Sequence, residues 1–237
     1  MITPNAQSAL IAQTRYSNWP ARPELVVRGE TRRFPLSRVF GVGRNYADNP
    51  KVEAKVEEDI VLFTKDAYAV SDINQPLNYP DGTTRLRYEV ELVVAIGRSG
   101  RMTSPDEAGA YIFGYGVGID FTKYDVQDAA KRAGRPWDSG KSFPGCAPCS
   151  ELVPASLFTP QSQEIWLDVN DKLAQSGFLD QLIWTIPELL FVISNRFELR
   201  AGDLIFTGTP EGVGMVERGQ RLSGGIEDLT RFAFDLV

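Results

Sequence analysis

The stretch "YEVELVVAIG", Tyr88 to Gly97, starts with acids at alternate positions and ends as an unbroken apolar run. Successive side chains of a strand point to opposite faces, so Glu89 and Glu91 are predicted to share a face, about 7 Å apart. The apolar remainder predicts a strand that passes into a core, with the two carboxylates at its mouth. Carboxylates beside a core need a cation or hydrogen bonds to compensate them. A divalent cation bridging the pair is one solution. The polar face of an edge strand is the other, and these residues leave both open.

The next strand signal outward, "IFGYGVGID" (112–120), ends on a third acid, Asp120, and its glycines suit close backbone approach. Further strands are predicted at 24–28, 38–43, 59–64, 164–170, 203–209 and 231–237, with 87–97 as one continuous strand. Asn170-Asp171 has hairpin turn chemistry. Three helices are predicted from their caps. One starts at the Ser104-Pro-Asp-Glu107 capping box, one follows Thr122 and ends at Gly134, and one starts at Thr185-Ile-Pro-Glu188. The pattern defines an α+β, strand-rich chain, with residues 1–36 as an N-terminal arm and 37–237 as one domain.

The chain has 237 residues, a net charge of -6 and no histidine. An acidic balance argues against nucleic acid as a partner. No run approaches the roughly 18 apolar residues of a membrane span. The first residues lack the basic and apolar regions of a secretory signal, so a cytoplasmic location is expected. Without histidine, Ser-His-Asp and Cys-His catalysis and His-based zinc sites are excluded, and oxygen ligands point to magnesium, manganese or calcium. Cys146-Ala-Pro-Cys149 lacks the further Cys or His that zinc needs, and it reads as a loop with a packing role.

Lys141 in "SGKSF" can be a site cation or a surface lysine. The Gly/Thr-rich loop Thr207–Gly214 offers backbone N–H groups to an anion, without the P-loop pattern. "GVGRNYA" (41–47) is a poor dinucleotide fingerprint, because Tyr46 occupies the third glycine position.

Taken together, "GVGRNYAD", "FTK", "YEVELVVAIG", "GYGVGIDFTKYDVQDAAKRAGRPWDSGKSF", "LDVND" and "GDLIFTGTPEGVG" resemble the fumarylacetoacetate hydrolase superfamily over roughly residues 36–237. The likeness is nearest to its fumarylpyruvate hydrolases and acylpyruvases. It implies a mixed β-roll and a homodimer. It also implies Mg²⁺ or Mn²⁺ held by Glu89, Glu91 and Asp120, with a small-molecule 2-oxo acid as substrate. Lys141 falls on a catalytic position and Gln127 and Thr209 on substrate-side positions, with Arg44 and Tyr46 of the "GVGRNYAD" turn on that side too. The implied reaction is hydrolysis of a C–C bond in an acylpyruvate-like dioxo acid.

The chain departs from that pattern where relatives carry a water-activating His-Glu dyad, since Asn49 and Val52 stand there with Pro50 between them. Asparagine accepts no proton near neutral pH. Tyr124 replaces a usual arginine, Tyr88 a usual histidine, and Asp66 a usual proline. Three readings follow. One is hydrolysis with a metal-bound hydroxide or a lid carboxylate (Glu53, Glu57 or Glu58) in place of the dyad. Another is decarboxylation or keto–enol tautomerisation of an oxaloacetate-like acid, with Tyr124 or Tyr46 relaying a proton. The last is a non-catalytic metal-binding relative.

Overall fold

The computed structural model describes residues 21–48, 50, 55 and 60–237. Asn49, Val52, Glu53, Glu57, Glu58 and residues 1–20 of the arm lie outside these. The described part of the arm forms a small hairpin, β1 (Glu24–Leu25) with β2 (Phe34–Pro35), whose Leu25 and Phe34 are buried.

Along the chain follow β3 (Val39–Gly43), β4 (Val61–Lys65), β5 (Val70–Asp72), β6 (Leu86–Tyr88), β7 (Val90–Ile96), β8 (Ile112–Ile119) and β9 (Thr122–Lys123). Helices α1 (Tyr124–Arg132) and α2 (Asp138–Lys141) precede β10 (Ala147–Cys149), β11 (Val153–Pro154), β12 (Glu164–Val169) and β13 (Lys172–Phe178). Helix α3 (Ile186–Phe197) leads to β14 (Leu204–Phe206), β15 (Gly214–Val216), β16 (Arg221–Ile226) and β17 (Thr230–Asp235).

The main sheet runs in the order β4-β3-β14-β7-β8-β10-β5, with β11 also paired to β8. Its β3–β14 and β10–β5 pairs are parallel and the others antiparallel, which makes it mixed. A four-stranded antiparallel sheet, β13-β12-β16-β17, and a three-stranded one, β15-β6-β9, complete the strand-rich β-roll. Strand β7 is buried at every position from Val90 to Ile96, as its continuous apolar run requires. Gly118 of β8 admits the Phe206 ring, since a Cβ there would lie 2.6 Å from Phe206 Cε1.

Several sequence-based expectations need correction. The predicted strand over 87–97 is two strands, β6 and β7, with Glu89 in the break between them. Each strand joins a different sheet, so the chain changes partners at the first acid. The Ser104 helix is a 3₁₀ segment, Pro105–Ala110. Ser104 caps Asp106 N–H, while Glu107 reaches the N–H of Thr103. Thr122 does not cap α1, because it lies buried in β9 and its hydroxyl has no partner among the described residues. The C-x-x-C segment is not all loop, for Ala147–Cys149 pairs with both β5 and β8. Both cysteines are free and buried, and burial pushes the Cys149 thiol up to about 12. Such a thiol packs as a small apolar group.

The Thr185 helix and the Asn170-Asp171 turn are as expected. Thr185 and Glu188 form a capping box, and both turn residues have positive φ (49° and 59°), as a tight hairpin demands.

Candidate metal centre

The chain change at Glu89 turns its carboxylate toward that of Glu91 at the start of β7. Asp120 follows the last residue of β8, and its N–H donates to the Glu89 carbonyl at 2.8 Å, which fixes the two chain ends together. One carboxylate oxygen from each of Glu89, Glu91 and Asp120 lies within 4.8 Å of the others. Glu91 and Asp120 are buried, and Glu89 is half-buried at the rim.

Two buried lysines answer this charge. Lys141 Nζ, at the end of α2, lies 2.9 Å from Glu89 Oε2 and 2.6 Å from Asp120 Oδ2. Lys65 Nζ, at the end of β4, lies 2.7 Å from Asp120 Oδ1 and donates to the carbonyls of Phe121, Lys141 and Cys146. Among the described residues Glu91 has no lysine at contact distance, and it accepts the Gly208 N–H at 2.7 Å. Gly208 presents that N–H from a φ of 100°, a backbone state a side chain would strain.

The electrostatics follow from this arrangement. Burial, then Asp120 and Glu89, push the Glu91 carboxyl well above its usual range. Burial also raises Glu89, against the opposing pull of Lys141. Burial would raise Asp120 as well, but Lys141 and Lys65 outweigh it and hold that carboxyl below its usual value. Burial disfavours the Lys141 ammonium, yet Asp120 and Glu89 hold it above its ordinary value. The centre is therefore short of positive charge at Glu91. In addition, Asp120 Oδ1 has no directed hydrogen bond despite its ion pair with Lys65. An all-oxygen set of this kind fits a hard divalent ion such as Mg²⁺ or Mn²⁺.

A cavity of about 500 Å³ opens on Glu89 and is lined by Arg44, Tyr46, Thr209 and Glu211, among others. Thr209 is fixed by a network, donating to the Val90 carbonyl at 2.7 Å and accepting from Gln175 at 2.8 Å. Arg44 is exposed and has a positive φ of 59°. The Tyr46 hydroxyl is buried without a partner among the described residues, and burial, with Glu91 and Asp180 adding to it, keeps it firmly protonated. Gln127 is buried on α1 against Gly140 of α2. Tyr124, at the start of α1, lies under the guanidiniums of Arg85 and Arg87. Asn49 lies outside the described residues.

The structure thus brings together the three carboxylates with Lys141, and it sets Thr209, Arg44 and Tyr46 on the adjoining cavity. Sequence reading gave no role to Lys65, Asn45 or Gln175. Asn45 is buried and ties the turn to Trp184 and to the Thr207 carbonyl. The "FTK" motif marked Lys65, but nothing local marks its partner, 55 residues downstream.

The fold and this acidic centre define a β-roll with a candidate site for a divalent ion. The model of the fumarylacetoacetate (FAA) hydrolase C-terminal family matches residues 38–236. The chain belongs to that family. It is 39% identical over 179 residues to a fumarylpyruvate hydrolase of a Ralstonia species, covering 76% of this chain and 93% of that one. It is 40% identical over 193 residues to the oxaloacetate tautomerase YcgM of Escherichia coli, covering 80% and 88%. A crystal structure of fumarylpyruvate hydrolase from Pseudomonas aeruginosa, in complex with Mn²⁺ and pyruvate, superposes with a TM-score of 0.86 at 39% identity. That match covers 92% of this chain and 97% of the other.

Proposed function

We propose that this protein is a divalent-metal-dependent hydrolase that cleaves a C–C bond in an acylpyruvate-like dioxo acid. The observation that carries the reading is the Glu89-Glu91-Asp120 cluster, compensated at Asp120 and Glu89 by lysines but not at Glu91. Glu89, Glu91 and Asp120 would hold Mg²⁺ or Mn²⁺, which when bound supplies Lewis acidity for the substrate's 2-oxo group.

The chain's own residues supply the rest. Lys141, kept protonated, places a fixed positive charge beside the substrate carboxylate and the enolate oxygen that develops as the bond breaks. Thr209, anchored by Gln175 and Val90, presents a rigid wall to the substrate, Arg44 lines the same cavity, and Gln127 would add a further contact. Water adds to the distal carbonyl and the bond to C3 breaks. Its electron pair passes into the pyruvate enolate, and the water's proton is taken by a carboxylate. Asp48 and Glu211 line the cavity and are described acids outside the metal cluster that can accept it.

A second reading, keto–enol tautomerisation or decarboxylation of an oxaloacetate-like acid, is favoured by one observation. The chain has no histidine at all, and Asn49 offers no base for water. Tautomerisation needs only a proton moved between C3 and the 2-oxo oxygen. The comparable similarity to an oxaloacetate tautomerase supports it equally.

Incubation with Mn²⁺ and either acetylpyruvate or oxaloacetate separates the two. Pyruvate and acetate from the first substrate support hydrolysis. Accelerated enol loss or CO₂ release from oxaloacetate alone supports the second. No turnover of either contradicts both. The same reading includes a cytoplasmic homodimer, which sedimentation of the purified protein tests. Among the described residues no helix is long and apolar enough to cross a membrane.

A further inference from the structure

Arg85, Arg87 and Glu89 are alternate residues of the segment that runs through β6 to the metal centre. Alternate residues of an extended segment point to one side. The row passes from exposed Arg85 to half-buried Arg87 and Glu89. The ring of Tyr124 lies under both guanidiniums, 4.0 Å from Arg87 Cζ and 4.7 Å from Arg85 Cζ. Stacking on an aromatic face orients a guanidinium while leaving its N–H fork free. Arg87 Nε is buried and has no hydrogen-bond partner among the described residues. A buried donor left unpaired is costly unless something satisfies it.

Helix α1 adds a second cation. Tyr124, Gln127 and Lys131 are spaced i, i+3 and i+7 and share one helix face. Lys131 Nζ lies 4.7 Å over the Trp137 ring. Burial, and then Lys141, Arg44 and Arg87, hold its ammonium below the usual value. Asp128, one turn before the helix end, is already paired with Arg132. Among the described residues Arg87, Lys131 and Arg44 make no ion pair within 4.0 Å, so this side of the site carries positive charge that the protein leaves unmatched.

We propose that Arg87, backed by Tyr124 and joined by Lys131, is a specificity-determining residue that receives a second, distal carboxylate of the substrate. The inference rests on the functional reading above, in which the 2-oxo acid end lies at Glu89, Glu91 and Asp120. Two residues of extended chain span about 6–7 Å, a span that suits the terminal carboxylate of a short 2-oxo dicarboxylic acid. Arg87 supplies this cation from a strand, while the helix position facing it holds an aromatic platform.

The test compares two five-carbon acids that differ only at the far end, 2-oxopentanedioate and 2-oxopentanoate. Their dissociation constants are measured on the Mn²⁺-loaded protein by calorimetry at fixed ionic strength. The unaltered protein is expected to prefer the diacid by about tenfold or more, the size of one charge-assisted contact. Arg87→Gln is expected to bring that ratio to near one with Mn²⁺ affinity retained, and the surface change Lys131→Gln to lower it about threefold. A ratio unchanged in both variants overturns the inference, and so does a parallel loss of both acids in Arg87→Gln. Failure of the unaltered protein to bind either acid in a Mn²⁺-dependent way overturns the 2-oxo acid reading itself and this inference with it.

Discussion

The Lys65 ammonium lies 2.7 Å from Asp120 Oδ1, with both side chains almost wholly excluded from solvent. Lys65 also gathers three backbone carbonyls, one of them that of Lys141, so it fixes both the metal-side acid and the segment carrying the second lysine. Removing one partner of a buried ion pair leaves an uncompensated charge. Lys65→Met is therefore expected to lower stability by about 3–5 kcal/mol in urea unfolding at neutral pH. A loss within experimental error would show that the pair does not carry this charge balance.

Glu91 should respond in the opposite sense. Its carboxylate is disfavoured in the metal-free protein, and glutamine can still accept the Gly208 N–H. Glu91→Gln is expected to leave metal-free stability at pH 8 unchanged or raise it by about 1 kcal/mol. Mn²⁺ affinity measured by calorimetry should fall at least tenfold. Unchanged Mn²⁺ affinity would remove Glu91 from the ligand set.

The same shift sets a pH dependence. The folded Glu91 carboxyl titrates well above an unfolded glutamate, so metal-free stability falls as pH rises from the ordinary carboxylate range through the raised value. Asp120, shifted down, contributes stability above the unfolded value that is lost only as pH falls through its lower folded one. A divalent ion needs the ionised form of Glu91. Mn²⁺ affinity should therefore rise with pH, and binding should release protons, seen as a dependence of calorimetric heat on buffer ionisation enthalpy. Equal heats in buffers of different ionisation enthalpy would contradict this.

Thr209 links the cavity wall to β7. Thr209→Val removes the acceptor of Gln175 and the donor to the Val90 carbonyl, leaving buried groups unpaired. A loss of about 1–3 kcal/mol in stability is expected, with a lower kcat/KM on whichever substrate the protein turns over. Full retention of both would make the network incidental.

Much of this was legible locally. The period-two acids, the apolar run after them and Asp120 at the end of "VGID" flagged the candidate centre, but the residues alone left a bridging cation and an edge-strand face both open, and the family resemblance decided between them. The break at Glu89 was not legible, since the alternation continues unbroken through Arg87, Glu89 and Glu91 while the hydrogen-bond partners change. Short or glycine-rich elements such as β15 and β16 carry little periodicity, and α2, a single turn, has no side-chain cap to announce it. Lys65, Gln175 and Asn45 had no legible role for another reason. Their partners lie far along the chain, as with Gln175 and the Val90 N–H 85 residues away, so their function exists only in the folded contacts.

If Glu89, Glu91 and Asp120 hold a divalent ion, a 2-oxo acid is drawn to the loaded site. Calorimetric titration of pyruvate into the protein, with and without saturating Mn²⁺, reads this out. Binding is expected to the Mn²⁺-loaded protein, and none to the metal-free protein or to Glu91→Gln. Equal pyruvate binding with and without Mn²⁺, or no Mn²⁺ binding at all, would contradict it.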